Sequence, residues 1–129
     1  MFMPLCDIAD RYTILKLKHE RLPQDQSIMD LYTYFTRELI GEINSFDTAI
    51  QEEIRDLIEQ LYLQNAETWT MEADIRQGKM DNESSLIEVG RRTLLIRNSN
   101  KKRVDIKNKI SLLVAQAYGL EKKIDHRSE

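Results

Sequence analysis

IRNSNKKRVDIKNKI, Ile96 to Ile110, decides whether the chain closes with one long helix or with two short pieces. Its middle, RNSNKKR from Arg97 to Arg103, is polar and holds two asparagines, residues that favour turns over helix interiors. Yet Ile96 and Ile110 stand 14 residues apart. At about 100° per residue that is about 40° short of four full turns, so both face the same way. The phase is kept across the polar stretch. The spacing predicts one helix from about Ser85 to Gly119, with Leu86, Val89, Thr93 and Ile96 packing in its first half and Ile106, Ile110, Leu113, Ala117 and Leu120 in its second. Ser85 and Glu88 have capping-box spacing at its start. EKKIDHRSE, residues 121–129, reads as a polar tail that frays.

Upstream of this stretch the apolar spacing predicts three more helices. The first runs from Leu5 to Leu22 on Ile8, Tyr12, Leu15 and His19 or Leu22, and Pro23 ends it. The second starts at Ser27 as cap and carries Ile28, Leu31, Phe35, Leu39 and Ile43. A third opens at Asp47 or Thr48, where Thr48 and Gln51 have capping-box spacing, and its stripe of Ile50, Ile54, Leu57 and Leu61 reaches on to Ile75 and about Gly78. KMDNESS then turns the chain. The expected fold is all-α, a single-domain antiparallel bundle of about four helices whose last two form a long hairpin.

Composition agrees with helix. Among 129 residues there are Gly 4 and Pro 2, too few turn residues for a compact β protein. Gly78 and Gly119 fall at expected helix ends, whereas Gly90 lies inside the last helix, where it permits close approach of a neighbour. One cysteine, Cys6, excludes an internal disulfide and fits a reducing compartment. MFMPLCD lacks the basic and apolar regions of a signal peptide, and no apolar run is long enough for a bilayer, so a soluble cytoplasmic protein without a membrane partner is expected. His19 and His126 are too far apart in sequence to read as a zinc site.

Charge is distributed unevenly although the net is only −3. From Arg37 to Glu59 seven acids stand against two arginines, and from Arg91 to Lys109 eight bases stand against Asp105. Opposite fields favour an antiparallel pairing of the last two helices. No glycine or aromatic is interleaved with the bases for stacking on nucleic acid, so a nucleic-acid partner is not expected.

Polar residues interrupt the apolar stripes. Asn65 and Glu72 fall where the third helix's series continues, with Trp69 and Arg76 at its edge. A turn centred near residue 82 sets Asn65 beside Asn100 and Glu72 near Arg91 or Arg92. Such groups either fix the register of the hairpin or line a ligand or partner site together with Arg103. If they only fix register, replacing both asparagines by leucine stabilises the fold.

DRYTILKLKHERL from Asp10 to Leu22, NAETWTMEADIR from Asn65 to Arg76, and IEVGRR with NKKRVDIKNKI resemble the strings of an uncharacterised all-helical protein family of bacteria and phages. The resemblance carries Asp10, Thr13, Ile14, Leu15, Lys18, Glu20, Arg21, Asn65, Trp69, Glu72, Ile75, Arg76, Arg91, Asn100, Arg103 and Ile110. It implies a helical fold and no known activity. A second likeness is to the all-α nucleoside triphosphate pyrophosphohydrolases of the MazG type, which hold magnesium on carboxylates of two helices. RELIGE offers Glu38 and Glu42, and EEIRD offers Glu53 and Asp56, although Leu39 stands where that motif has its second glutamate.

The sequence thus favours a binding or assembly protein with no cofactor, with a magnesium-dependent pyrophosphohydrolase as the alternative. Helices this long exceed what a compact monomer of this size requires, so self-association or a partner protein is expected. Tyr32, Tyr34, Phe35 and Tyr62, with Leu63 and Met71, are the expected second interface.

Overall fold

The computed structural model describes residues 3–76 and 83–128, with side chains over 3–73 and 86–119. Four helices follow one another: α1 (Leu5–Arg21), α2 (Gln26–Ile43), α3 (Thr48–Arg76) and α4 (Glu83–Ser128). Among the described residues there is no strand, and no helix is long and apolar enough to cross a membrane.

The helix starts are set by carboxylates one or two residues ahead of the expected hydroxyls. The Ile28 amide donates to Asp25 Oδ1 at 3.1 Å, and Ser27 donates its own hydroxyl to the same oxygen. Asp25, not Ser27, therefore caps α2, and these hydrogen bonds from Ser27 and the Ile28 amide hold its carboxyl below the usual range. At α3 the Ile50 amide donates to Asp47 Oδ1 at 3.0 Å while Gln51 reaches back to the Phe46 carbonyl. Asp47 is the cap, and the Thr48–Gln51 box does not form. The Ser85 half of the other proposed box lies outside the described side chains; Glu88 instead accepts from Arg91 and Arg92 on its own helix.

α4 is continuous through Arg97–Arg103, as the Ile96–Ile110 phase requires. It also passes Gly119 and runs to Ser128, so the expected frayed tail is helical. One glycine costs a helix about 1 kcal/mol, and Leu120 to Lys123 are strong helix formers with no proline behind them.

α1 is the hub. It touches each of the other three helices, whereas α2 packs chiefly on α1, and α3 and α4 pair with each other. Leu15 of α1, Leu39 of α2, Ile54 and Leu61 of α3, and Ile110 of α4 share one core. Ser99 of α4 exchanges hydrogen bonds with Thr68 and Gln64 of α3, the antiparallel register expected for a turn centred near residue 82.

The first half of α4 departs from expectation. Leu86 and Thr93 were expected to pack, yet both are exposed, and Val89 and Ile96 are only half-buried. Ile87 and Leu94 are exposed too, at 76% and 56%. Helix lengths explain this. At 1.5 Å per residue α4 extends about 69 Å and α1 only about 26 Å, so α1 meets α4 between about Asn100 and Tyr118 and leaves the stretch from Leu86 to Ile96 to α3 alone. Phe35, expected at a second interface, is buried in the core beneath α1. Tyr32 is half-buried and stacks on His19, which leaves Tyr34 and Leu63 as the exposed members of that set.

Candidate ligand groove

On α1 a second set of buried residues stands beside the main stripe: Asp10, Thr13 and Leu17, at helical spacing. This face meets α3 and α4. Asn65 of α3 is buried and donates its amide to Asp10 Oδ1 at 3.2 Å and to Thr13 Oγ1 at 2.8 Å. Thr13 in turn donates to the Asp10 carbonyl at 2.8 Å. From α4, Lys107 Nζ lies 2.9 Å from Asp7 Oδ1 and 3.8 Å from Asp10 Oδ2, and Arg103 Nε lies 3.6 Å from Asp10 Oδ1. A buried carboxylate of this kind is tolerable because donors surround it. Asp10, with a side chain only 10% exposed, is where three helices are tied together.

Above this network lies a groove of about 280 Å³ between α1, α3 and α4, lined by Ile14, Leu17, Lys18, Asn65, Thr68, Trp69, Glu72, Asn100 and Arg103. The Arg21 guanidinium lies over the Trp69 ring, 5.1 Å from its centroid, in cation–π geometry. Thr68 is bound to Ser99 and to the Gln64 carbonyl, and Asn65 to α1, so the floor is hydrogen-bonded and rigid. A larger groove, about 520 Å³, opens beside Met3, Glu42 and Tyr118. Its lining is mainly apolar, and convergent polar groups are what give a site orientation and specificity.

Of the residues singled out from sequence, Asn65, Trp69, Glu72, Asn100 and Arg103 come together in this groove. Asn65 does not bond to Asn100: its amide is taken by α1, and Asn100 stands at the wall of the groove, half-buried. Arg91 is not part of the groove. It is exposed and forked on Glu88, three residues away on the same helix. The Arg76 side chain lies outside the described residues. Asp7 and Lys107 were missed as members of the network. Their only trace in the sequence is the spacing of Asp7 and Asp10 at i, i+3 on α1, facing Arg103 and Lys107 at i, i+4 on α4.

The carboxylates of the pyrophosphohydrolase pattern do not assemble. Glu42, Glu53 and Asp56 are exposed, Asp56 accepts from Gln60 on its own helix, and Glu42 borders the other groove. Among the described residues no group of three or more His, Cys, Asp or Glu side chains could hold a metal ion. α2 packs chiefly on α1, and what it brings beside Arg55, Ile58 and Glu59 of α3 is apolar, Leu39 and Ile43. Cys6 is half-buried next to Asp7, with no histidine partner in its groove. Compared with known proteins, the chain matches no family model, no curated protein and no solved structure.

Proposed function

We propose that this chain is a self-associating binding protein that presents the α1–α3–α4 groove to a ligand. The observation that carries the reading is the bare apolar face on the first half of α4. Leu86, Ile87 and Leu94 are exposed, and Gly90 sits between them at helical spacing with nothing within 4 Å of where a Cβ would stand. Apolar side chains around a glycine make a surface on which a second helix can approach closely, and nothing described within the chain fills it. A second copy of α4 would.

The groove supports the binding half of the reading. The strings that carry the resemblance to the uncharacterised helical family lie far apart in sequence, yet Ile14, Lys18, Asn65, Trp69, Glu72, Asn100 and Arg103 all line it, with Asp10 and Thr13 directly beneath. Equilibrium sedimentation at micromolar concentration tests the assembly. A dimer or larger species is expected, and the Ile87→Glu/Leu94→Glu double variant should run as a folded monomer. A wild-type monomer defeats the reading.

A further inference from the structure

We infer that the groove between α1, α3 and α4 binds a small organic anion, its carboxylate or phosphoryl oxygens held by Arg103, Lys18 and Asn100 and its apolar part lying against Trp69. The inference rests on the reading of this groove as the binding part of the protein, and it names the ligand class.

Donors and acceptors in the groove are unevenly matched. The acceptors of the floor are occupied: Asp10 by Asn65 and the α4 cations, Thr13 by Asn65, and the Thr68 hydroxyl by Ser99. The donors along the wall are not. Among the described residues, the Lys18 ammonium and the Asn100 amide carry no hydrogen bond or ion pair. Arg103 reaches Asp10 only through Nε, at 3.6 Å, too long for a hydrogen bond, and that nitrogen is buried without a partner. Nε is turned toward Asp10, so the two Nη amines, which among the described residues carry no hydrogen bond or ion pair, are what Arg103 offers to an acceptor-rich ligand in the groove.

Charge and shape point the same way. Lys18 and Arg103 line the groove and Arg21 lies over Trp69, against Glu72. A cationic ligand would meet these like charges. The planar fork of an arginine suits two oxygens of one carboxylate or phosphoryl group. Ile14, Leu17 and Trp69 supply apolar contact, and about 280 Å³ is at the small end of ligand sites.

Trp69 is the only tryptophan, so indole fluorescence reports from the groove itself. The full chain is titrated with benzoate, phenyl phosphate and benzylamine. A saturable change is expected with benzoate or phenyl phosphate and none with benzylamine, and the stronger of the two anions distinguishes a carboxylate from a phosphoryl ligand. Arg103→Gln should weaken the anion about tenfold, the loss of one charged hydrogen bond. Because that change also touches Asp10, Lys18→Met is the control: among the described residues the Lys18 ammonium makes no hydrogen bond or ion pair, and methionine keeps the apolar stem and the backbone carbonyl that accepts from Leu22, so the change should leave the melting temperature unchanged and still weaken the anion. No saturable response to either anion, equal binding of benzylamine, or affinity unmoved by both substitutions overturns the inference. Sedimentation of the same samples separates the two claims. A dimer that ignores both anions sinks the ligand class alone, and a monomer that binds one sinks the assembly alone.

Discussion

The two halves of α4 belong to one uninterrupted helix and live in different environments. In the second half Ile106 and Ile110 are buried against α1 and α3, and Lys107 and Arg103 reach the carboxylates of α1. In the first half Leu86, Ile87 and Leu94 face outward, and the side-chain bonds of Glu88 run to Arg91 and Arg92 of the same helix. Ile, Leu and Val are as frequent in one half as in the other. What differs is the presence of α1, whose length decides how much of the hairpin is covered. A helix can therefore be continuous in backbone and discontinuous in stability.

The sharpest way to break this contrast is a pair of truncations read by urea unfolding of dilute protein. Ile110→Ala empties a fully buried position and is expected to lose about 3 kcal/mol, while Leu94→Ala should change monomer stability by less than about 0.5 kcal/mol. Comparable losses would mean that both halves are packed alike.

A step smaller is the Asp10 network. Asp10→Ala leaves Asn65 and Arg103 facing an apolar gap and should lose about 2–3 kcal/mol, whereas Asp7→Ala, at a side chain 43% exposed, should lose under about 1 kcal/mol. Asn65→Leu belongs with Asp10→Ala. Were the asparagine only a register device of the hairpin, leucine would stabilise; because it satisfies Asp10 and Thr13, leucine should destabilise by about 1–2 kcal/mol. A gain in melting temperature for Asn65→Leu would return it to the register role.

The smallest effect lies in the exposed half and depends on pH. Hydrogen bonds from Arg91 and Arg92 pull the Glu88 carboxyl from 4.5 down to about 2. A carboxyl lowered on folding contributes stability that is complete above its unfolded value and disappears as pH falls through its folded one. The difference in helicity between the wild type and Glu88→Gln should thus be constant above about pH 4.5 and vanish near pH 2. A difference that persists at pH 2 would show that the ion pairs are not its source.

The sequence made the helices legible, the register of the hairpin, and the unbroken course of α4, because each follows from a period along one segment. It misplaced one cap by two residues, Ser27 for Asp25, and left the other open between Asp47 and Thr48, of which Asp47 is the cap. It brought Asn65, Trp69, Glu72, Asn100 and Arg103 to one place, yet gave Asn65 the wrong partner. A seam drawn between two helices has no way to represent a third, and where α1 docks is set by shape across the bundle, not by any spacing within α3 or α4. The same blindness hid the bare half of α4: a stripe says that a face is apolar and is silent on whether anything covers it.

The wide separation of the groups around Asp10 has a consequence in time. Asp10 belongs to α1, near the start of the chain, while Asn65, Arg103 and Lys107 are made much later. During synthesis α1 can pair at once with α2, its neighbour in sequence, through Tyr12, His19 and Tyr32. Asp7 and Asp10 must stay hydrated on its far side until the second hairpin emerges with their cations. Closing the bundle therefore brings an acidic face made early against a basic face made late, and the two lose their water together.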